Sequence, residues 1–257
     1  MSEIKYTETV KLPTLGLLYE KNHPFHNKKE IMIRHLTAKD EDMLTTKSLI
    51  KSGELVNLLI KEIIQDKNVD LNTLYIGDKN AILIFSRIYS FGSEYKAIAP
   101  CKFCGSTDEY TFDISSVPVN FLQVEPVEPY TNLFEYKTSK GNVFVFKLMT
   151  QEISKLIEED INSQLKFNKK HANYNAIEKN STLSYYHTIH SINGKTEKKD
   201  IMSFLETMPI VESRELRKYI KQITPDVEFK KEIYCTNCGQ RSEVDLEFNS
   251  SFFWADF

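Results

Sequence analysis

Four cysteines carry the chemistry this sequence offers, and they come as two matched knuckles, Cys101-Lys102-Phe103-Cys104-Gly105 and Cys235-Thr236-Asn237-Cys238-Gly239. A C-x-x-C turn presents two sulfurs from one tight loop, and zinc is satisfied by four thiolates in a tetrahedron. Glycine after the second cysteine relaxes the sharp turn that lets backbone N–H groups approach sulfur. One such pair could be a redox centre or chance. Two pairs with no cysteine left over point to one structural zinc held by Cys101, Cys104, Cys235 and Cys238. A closed site of this kind leaves no vacant position for water, so it is a poor hydrolase. Two disulfides in an oxidising compartment are the alternative.

The flanks say how such ligands are positioned. Glu109-Tyr110-Thr111-Phe112-Asp113-Ile114 and Glu243-Val244-Asp245-Leu246-Glu247-Phe248 follow the knuckles at equal spacing and alternate apolar with polar in the same phase. Lys96-Ala97-Ile98-Ala99-Pro100 and Lys230-Lys231-Glu232-Ile233-Tyr234 precede them as incoming strands. Each knuckle therefore reads as the tip of a β-hairpin, one half of a ribbon whose near-copy follows about a hundred residues later.

The rest of the chain has to be gathered by that ribbon. Pro13 and Gly16 exclude a continuous helix near the start, and Ile31 to Leu36 reads as a strand. Thr37 and Asp40 form a capping box. Leu55, Leu58, Leu59 and Ile63 give helical spacing within residues 53–66. A core helix is expected from Asp78, as N-cap, to a stop at Gly92. Pro118, Pro126 and Pro129 punctuate a connection. A hairpin follows across Lys140-Gly141-Asn142, then a helix over 152–167 and a polar, basic loop over 168–180. Residues 185–192 read as a strand entering the Asn193-Gly194 turn, and two helices over 200–205 and 211–223 end before Pro225. The fold class is α+β: a split four-cysteine zinc ribbon joins an N-terminal mainly helical half to an inserted α+β half. The expected division is 1–93, 94–120 for the first half-ribbon, 121–226 for the insertion, and 227–257 for the second half-ribbon with an aromatic tail.

Composition narrows the function. The 257 residues are 41% hydrophobic and 27% charged, with net charge −3, and glycine and proline number eight each. This is a chain with a real core and no low-complexity character. Four thiolates around one zinc would add about two negative charges, which argues against bulk attraction to nucleic acid. No apolar run reaches the roughly 18–20 residues of a membrane span. Met1-Ser2-Glu3-Ile4-Lys5 lacks the apolar core of a signal peptide, so a reducing cytoplasm is expected.

Other constellations give no catalytic signature. His187 and His190 fall on opposite faces of the expected strand, without the glutamate of H-E-x-x-H. His23 and His26 bracket Pro24 in what reads as an exposed loop. Glu158-Glu159-Asp160 points three ways around a helix. Phosphate-binding glycine loops and the serine-hydrolase elbow are both absent. The expectation is a non-enzyme. Lys169-Lys170-His171, with Lys166, Phe167 and Tyr174, makes a basic patch with aromatics that would suit single strands, so a zinc-ribbon nucleic-acid-binding protein is the rival reading. At the end of the chain, Phe252, Phe253, Trp254 and Phe257 either dock into a partner as aromatic anchors or fold back onto the ribbon's own core.

The order of features resembles the baseplate hub assembly proteins of contractile-tailed phages of the T-even type. The resemblance rests on Leu12-Pro13-x-x-Gly16-Leu17-Leu18-Tyr19, then Ile33-Arg34-x-Leu36-Thr37, then Phe85-x-Arg87-Ile88-x-Ser90-Phe91-Gly92 before the first knuckle. Gly141-x-Val143-x-Val145-x-Lys147-Leu148-Met149-Thr150 and the second knuckle complete it. It implies a phage structural or morphogenetic protein, with tail hub or baseplate proteins as partners. Such a protein acts in the host cytoplasm during assembly, as a chaperone or as a part that stays in the virion.

Overall fold

A computed structural model describes residues 6–46, 48–49, 54–170, 180–246 and 250–253. It begins with an antiparallel pair, β1 (Thr7–Lys11) and β2 (Glu30–Arg34), in the register Thr7↔Arg34 to Lys11↔Glu30. Between them the chain makes successive turns that close when Leu12 N–H donates to the Lys29 carbonyl at 2.9 Å. Gly16 has φ +71°, and a Cβ there would stand 2.4 Å from the Lys28 nitrogen, so only glycine lets the loop fold on itself.

Helices α1 (Ala38–Leu44), α2 (Leu55–Ile63) and α3 (Ile76–Phe91) follow. The expected box at α1 is present, with Thr37 N–H donating to Asp40 at 2.8 Å. Arg34 adds a two-pronged grip on the same carboxylate at 2.6 and 2.8 Å. Helix α3 is the central element, with Ala81, Ile82, Leu83 and Ile84 all buried, and Gly92 at φ +84° ends it as expected. Its start is corrected by the structure. Tyr75 is the N-cap, and Asp78 lies buried inside the first turn. Thr14 donates to Asp78 from its backbone N–H at 2.9 Å and its hydroxyl at 2.6 Å, and Tyr19 adds its hydroxyl at 2.7 Å. The carboxylate thus ties the opening turns to α3 rather than capping its own helix.

A hairpin of β3 (Glu94–Pro100) and β4 (Thr107–Asp113) comes next, then the short β5 (Val119–Asn120). The inserted part holds β6 (Phe134–Lys137), β7 (Val143–Phe146), α4 (Gln151–Lys170), α5 (Asn180–Thr188), β8 (Ile189–Ile192), α6 (Lys198–Thr207) and α7 (Ile210–Ile223). Its strands form one antiparallel sheet in the order β6-β7-β8. The expected strand over 185–192 is strand only from Ile189. Residues 180–188 are helical, with Leu183 and Tyr185 buried, so tertiary packing overrides the strand preference of Tyr185 and Tyr186. Of the loop expected over 168–180, residues 168–170 belong to α4 and Asn180 to α5, and residues 171–179 lie outside the described residues. Asn193 and Gly194 both have positive φ, 51° and 78°, as a tight hairpin turn requires.

One small ladder brackets the chain between Asn120 and Asp226. There β9 (Asp226–Val227) pairs with β5 as Val119↔Val227 and Asn120↔Asp226. Gly77 lies against this ladder. A Cβ on Gly77 would meet the Pro225 carbonyl oxygen at 2.0 Å, so α3 can approach only because the side chain is missing. The starts of α3 and α4 are also stitched, by Ile76 N–H to the Met149 carbonyl at 3.1 Å and Gln151 N–H to the Leu74 carbonyl at 2.9 Å. A second hairpin, β10 (Lys230–Tyr234) and β11 (Arg241–Asp245), and a 3₁₀ turn at Ser250–Phe253 end the described chain. One continuous apolar core runs from Val10 through α3 and the sheet to Phe253.

Candidate metal centre

Both knuckles are built alike. In the first, Gly105 N–H donates to the Cys101 carbonyl at 2.9 Å and Cys101 N–H to the Ser106 carbonyl at 2.8 Å. In the second, Gly239 N–H donates to the Cys235 carbonyl at 2.9 Å and Cys235 N–H to the Gln240 carbonyl at 3.0 Å. Gly105 and Gly239 have φ of +73° and +69°, the left-handed turn the sequence pattern calls for. Backbone N–H groups also reach sulfur: Phe103 to Cys101 at 3.4 Å, and Cys238 to Cys235 at 3.5 Å. These bonds aim two sulfurs outward from each tip, as the expected hairpins require, with β3 against β4 and β10 against β11.

The two tips meet. All four sulfurs lie within 4.8 Å of one another. Cys101 Sγ is 3.7 Å from Cys238 Sγ, and Cys104 Sγ is 3.6 Å from Cys235 Sγ. Tetrahedral thiolates on zinc, at about 2.3 Å per bond, stand about 3.8 Å apart. A disulfide would need about 2.05 Å, and all four cysteines are free thiols. The donor set and its spacing are thus compatible with zinc. Cys101 and Cys235 are buried while Cys104 and Cys238 are exposed, so the cluster is rooted in the core and open at its outer end.

Around the sulfurs lie groups that the C-x-x-C pattern does not reveal. The Ser106 hydroxyl sits 3.1 Å from Cys104 Sγ and 3.2 Å from Cys235 Sγ, bridging the tips. Thr236 donates its hydroxyl to Asp108 at 2.7 Å, a second link between hairpins. The Ser106 hydroxyl is also the main cause that lowers the Cys104 thiol to about 6. A backbone bond from Gln240 favours the Cys238 thiolate, but the water displaced by the facing knuckle and its three cysteine neighbours outweigh it and push that thiol up to about 12. Like charges this close cannot all form without a counter-charge among them.

The aromatic tail divides. Phe252 is 0% and Phe253 4% exposed, so neither is the docking anchor that one reading of the sequence made it. Phe252 packs edge-on to Tyr95 and Phe229, with ring centres 5.3 and 5.5 Å away. Trp254 and Phe257 lie outside the described residues. The tail is fixed by a residue whose role only the fold reveals. Arg87, 1% exposed on α3, donates to the carbonyls of Phe252, Gly92 and Glu94 at 2.9, 2.7 and 2.7 Å. Its guanidinium also lies over the Tyr95 ring, 5.1 Å from the centre.

The remaining candidates separate rather than converge. His187 is on α5 and bonds Asp160 at 2.7 Å, whereas His190 is exposed on β8. His23 is not free in solvent. It stacks on Tyr19 at 4.2 Å, contacts the Thr73 hydroxyl at 2.9 Å, and burial lowers it to about 4. His26 lies 2.7 Å from the Tyr19 carbonyl and tilts against Tyr130. Of the basic patch, Lys166 is exposed near the end of α4; the side chains of Phe167, Lys169 and Lys170, and all of His171 and Tyr174, lie outside the described residues. Ser106, and the roles of Asp78 and Arg87, are what reading by type and spacing missed. Arg87 had a signal, as the one cation in the apolar second half of its helix.

A family model described as T4 bacteriophage base plate protein matches residues 18–254. No curated protein and no solved structure matches the chain.

Proposed function

The chain belongs to the T4 bacteriophage base plate protein family, and from that premise we propose that it acts at the tail hub, without catalysis, through protein–protein contacts. Its membership makes it a phage baseplate structural or assembly protein, with baseplate or tail proteins as its partners. The observation that carries the finer reading is the convergence of four sulfurs at the tips of two hairpins, each at least 131 residues in sequence from those on the other tip.

In this reading Cys101, Cys104, Cys235 and Cys238 hold one zinc. When bound, the ion supplies charge neutralisation and a cross-link, not a reactive centre. The residues themselves do the rest: backbone N–H groups orient the sulfurs and Ser106 bridges the tips. Residues 94–120 and 227–257 then serve as a clasp between the N-terminal part, 1–93, and the insertion, 121–226. Partner contacts fall on the surfaces that the clasp holds in register. Assembly takes place in the host cytoplasm, and the protein stays in the baseplate of the finished particle. No helix among the described residues is long and apolar enough to cross a membrane.

The test is affinity purification of the tagged protein from infected cells, with mass spectrometry. Co-purifying tail-hub proteins support the reading. Recovery of nucleic-acid-processing proteins, with salt-sensitive binding to single strands, would replace it.

A further inference from the structure

A cleft of about 620 Å³ lies between residues 18–75 and residues 130–190, away from the cysteine cluster. One wall comes from residues 18–24 and 68–75, the other from residues 130–133, the start of α4 and the end of the β6-β7-β8 sheet. Clefts at such junctions are where ligands are ordinarily held. Its floor is aromatic: Tyr19 and Tyr75 are buried, their rings 5.1 Å apart, and His23 stacks on Tyr19. Its rim is acidic, with exposed Glu20, Asp70 and Glu152 set against one lysine, Lys147.

The opposite wall holds Tyr130, at φ +61°. A left-handed backbone is costly for an aromatic residue and persists only where surrounding structure holds it. Here Asn27 Nδ2 donates to the Tyr130 hydroxyl at 3.3 Å, and the ring leans on His26 with centres 4.5 Å apart. The strain sets a fixed aromatic face into the cleft wall. A second hollow of about 290 Å³ shares Asp70, Thr73 and Glu152 with the cleft and continues along α4 to Glu159, past Lys155, whose ammonium is held by Asn72 at 3.0 Å. The recess is therefore a groove with length, not a single hole.

We propose that this groove receives an arginine-bearing extended segment of another baseplate protein. A guanidinium is planar, so it stacks on the half-buried His23 and Tyr130 rings while its N–H fork reaches carboxylates at the rim. An anionic ligand would meet three carboxylates, and a purely apolar one would strip water from them. This inference rests on the reading that the protein works through protein–protein contacts, and it names where one such contact is made.

The test uses the full chain and a blocked tri-arginine peptide, with tri-glutamate as control, followed by calorimetry and by NMR of the tyrosine and histidine rings. Saturable binding that shifts His23, Tyr19 and Tyr130 is expected. The combined Glu20→Gln, Asp70→Asn, Glu152→Gln variant should bind about tenfold more weakly, from three partly exposed pairs. These side chains are exposed, so the variant should melt like the wild type, and Tyr130→Ala provides an independent loss on the opposite wall. Unsaturable binding, or equal affinity in the charge-neutralised variant, overturns the groove. If that variant fails to bind the peptide yet still co-purifies with tail proteins, the groove is not their contact, while the proposed function stands.

Discussion

Breaking the clasp at one ligand, by Cys104→Ser, is expected to lower the melting temperature by roughly 10 °C. The Cys104 and Cys235 sulfurs stand 3.6 Å apart in space and 131 residues apart in sequence. Cross-linking a loop of that length removes denatured-chain entropy equivalent to about 5 kcal/mol. For a chain of 257 residues, unfolding entropy at about 2.1 cal/mol/K per residue comes to about 0.5 kcal/mol/K, which converts that loss into the stated shift. The β3–β4 and β10–β11 ladders and the continuous core do not depend on the metal, so the variant should fold and melt earlier rather than fail outright. The assay is differential scanning calorimetry of wild type, chelator-treated wild type and Cys104→Ser, with zinc counted by mass spectrometry. Wild type should carry about one zinc per chain, and the other two should carry none and melt alike. A metal-free wild type, or melts within about 2 °C of one another, would refute the clasp.

Three further outcomes follow from buried groups. Burial is the main cause that raises Asp78 from 3.8 to about 6, so the folded protein keeps a proton that the unfolded chain has released. Stability should then fall as pH rises from about 4 to about 6, by about 3 kcal/mol, and Asp78→Asn should flatten that slope in urea titrations; an unchanged slope would show that other groups set it. Arg87→Lys should cost about 3–5 kcal/mol in chemical denaturation, because one ammonium cannot replace a planar fork serving three separated carbonyls. Phe252→Ala should cost about 3–5 kcal/mol as a core deletion, visible as an earlier urea midpoint; loss of partner capture at unchanged stability would instead restore the docking reading.

The stretches on which the resemblance rests bear mostly on how α3 is held. Tyr19, in the first motif, grips Asp78 at its start, together with Thr14 from one of that motif's open positions. Leu36 N–H, in the second, donates to the Ser90 hydroxyl near its end at 2.9 Å. Arg87 and Gly92 close its C-terminus, and Met149 binds Ile76 at its N-terminus. Motifs far apart in sequence thus meet on one helix, which is why their order carried weight although each was short.

By itself the sequence determined what depends on near neighbours. The left-handed glycine after each second cysteine, the strand alternation behind the knuckles, the capping box at Thr37 and the stop at Gly92 are local chemistry, and each was legible in a few consecutive residues. Only the tertiary structure decided matters of burial and long-range pairing. It placed Asp78 against Thr14 rather than on its own helix end, made residues 180–188 helical, and turned Phe252 inward against a guanidinium 165 residues away. The same division runs through the four cysteines. Spacing of two told that each pair could offer two sulfurs to one ion, because that geometry is set within a single turn. That the two tips stand within 4.8 Å of each other depends on everything folded between them.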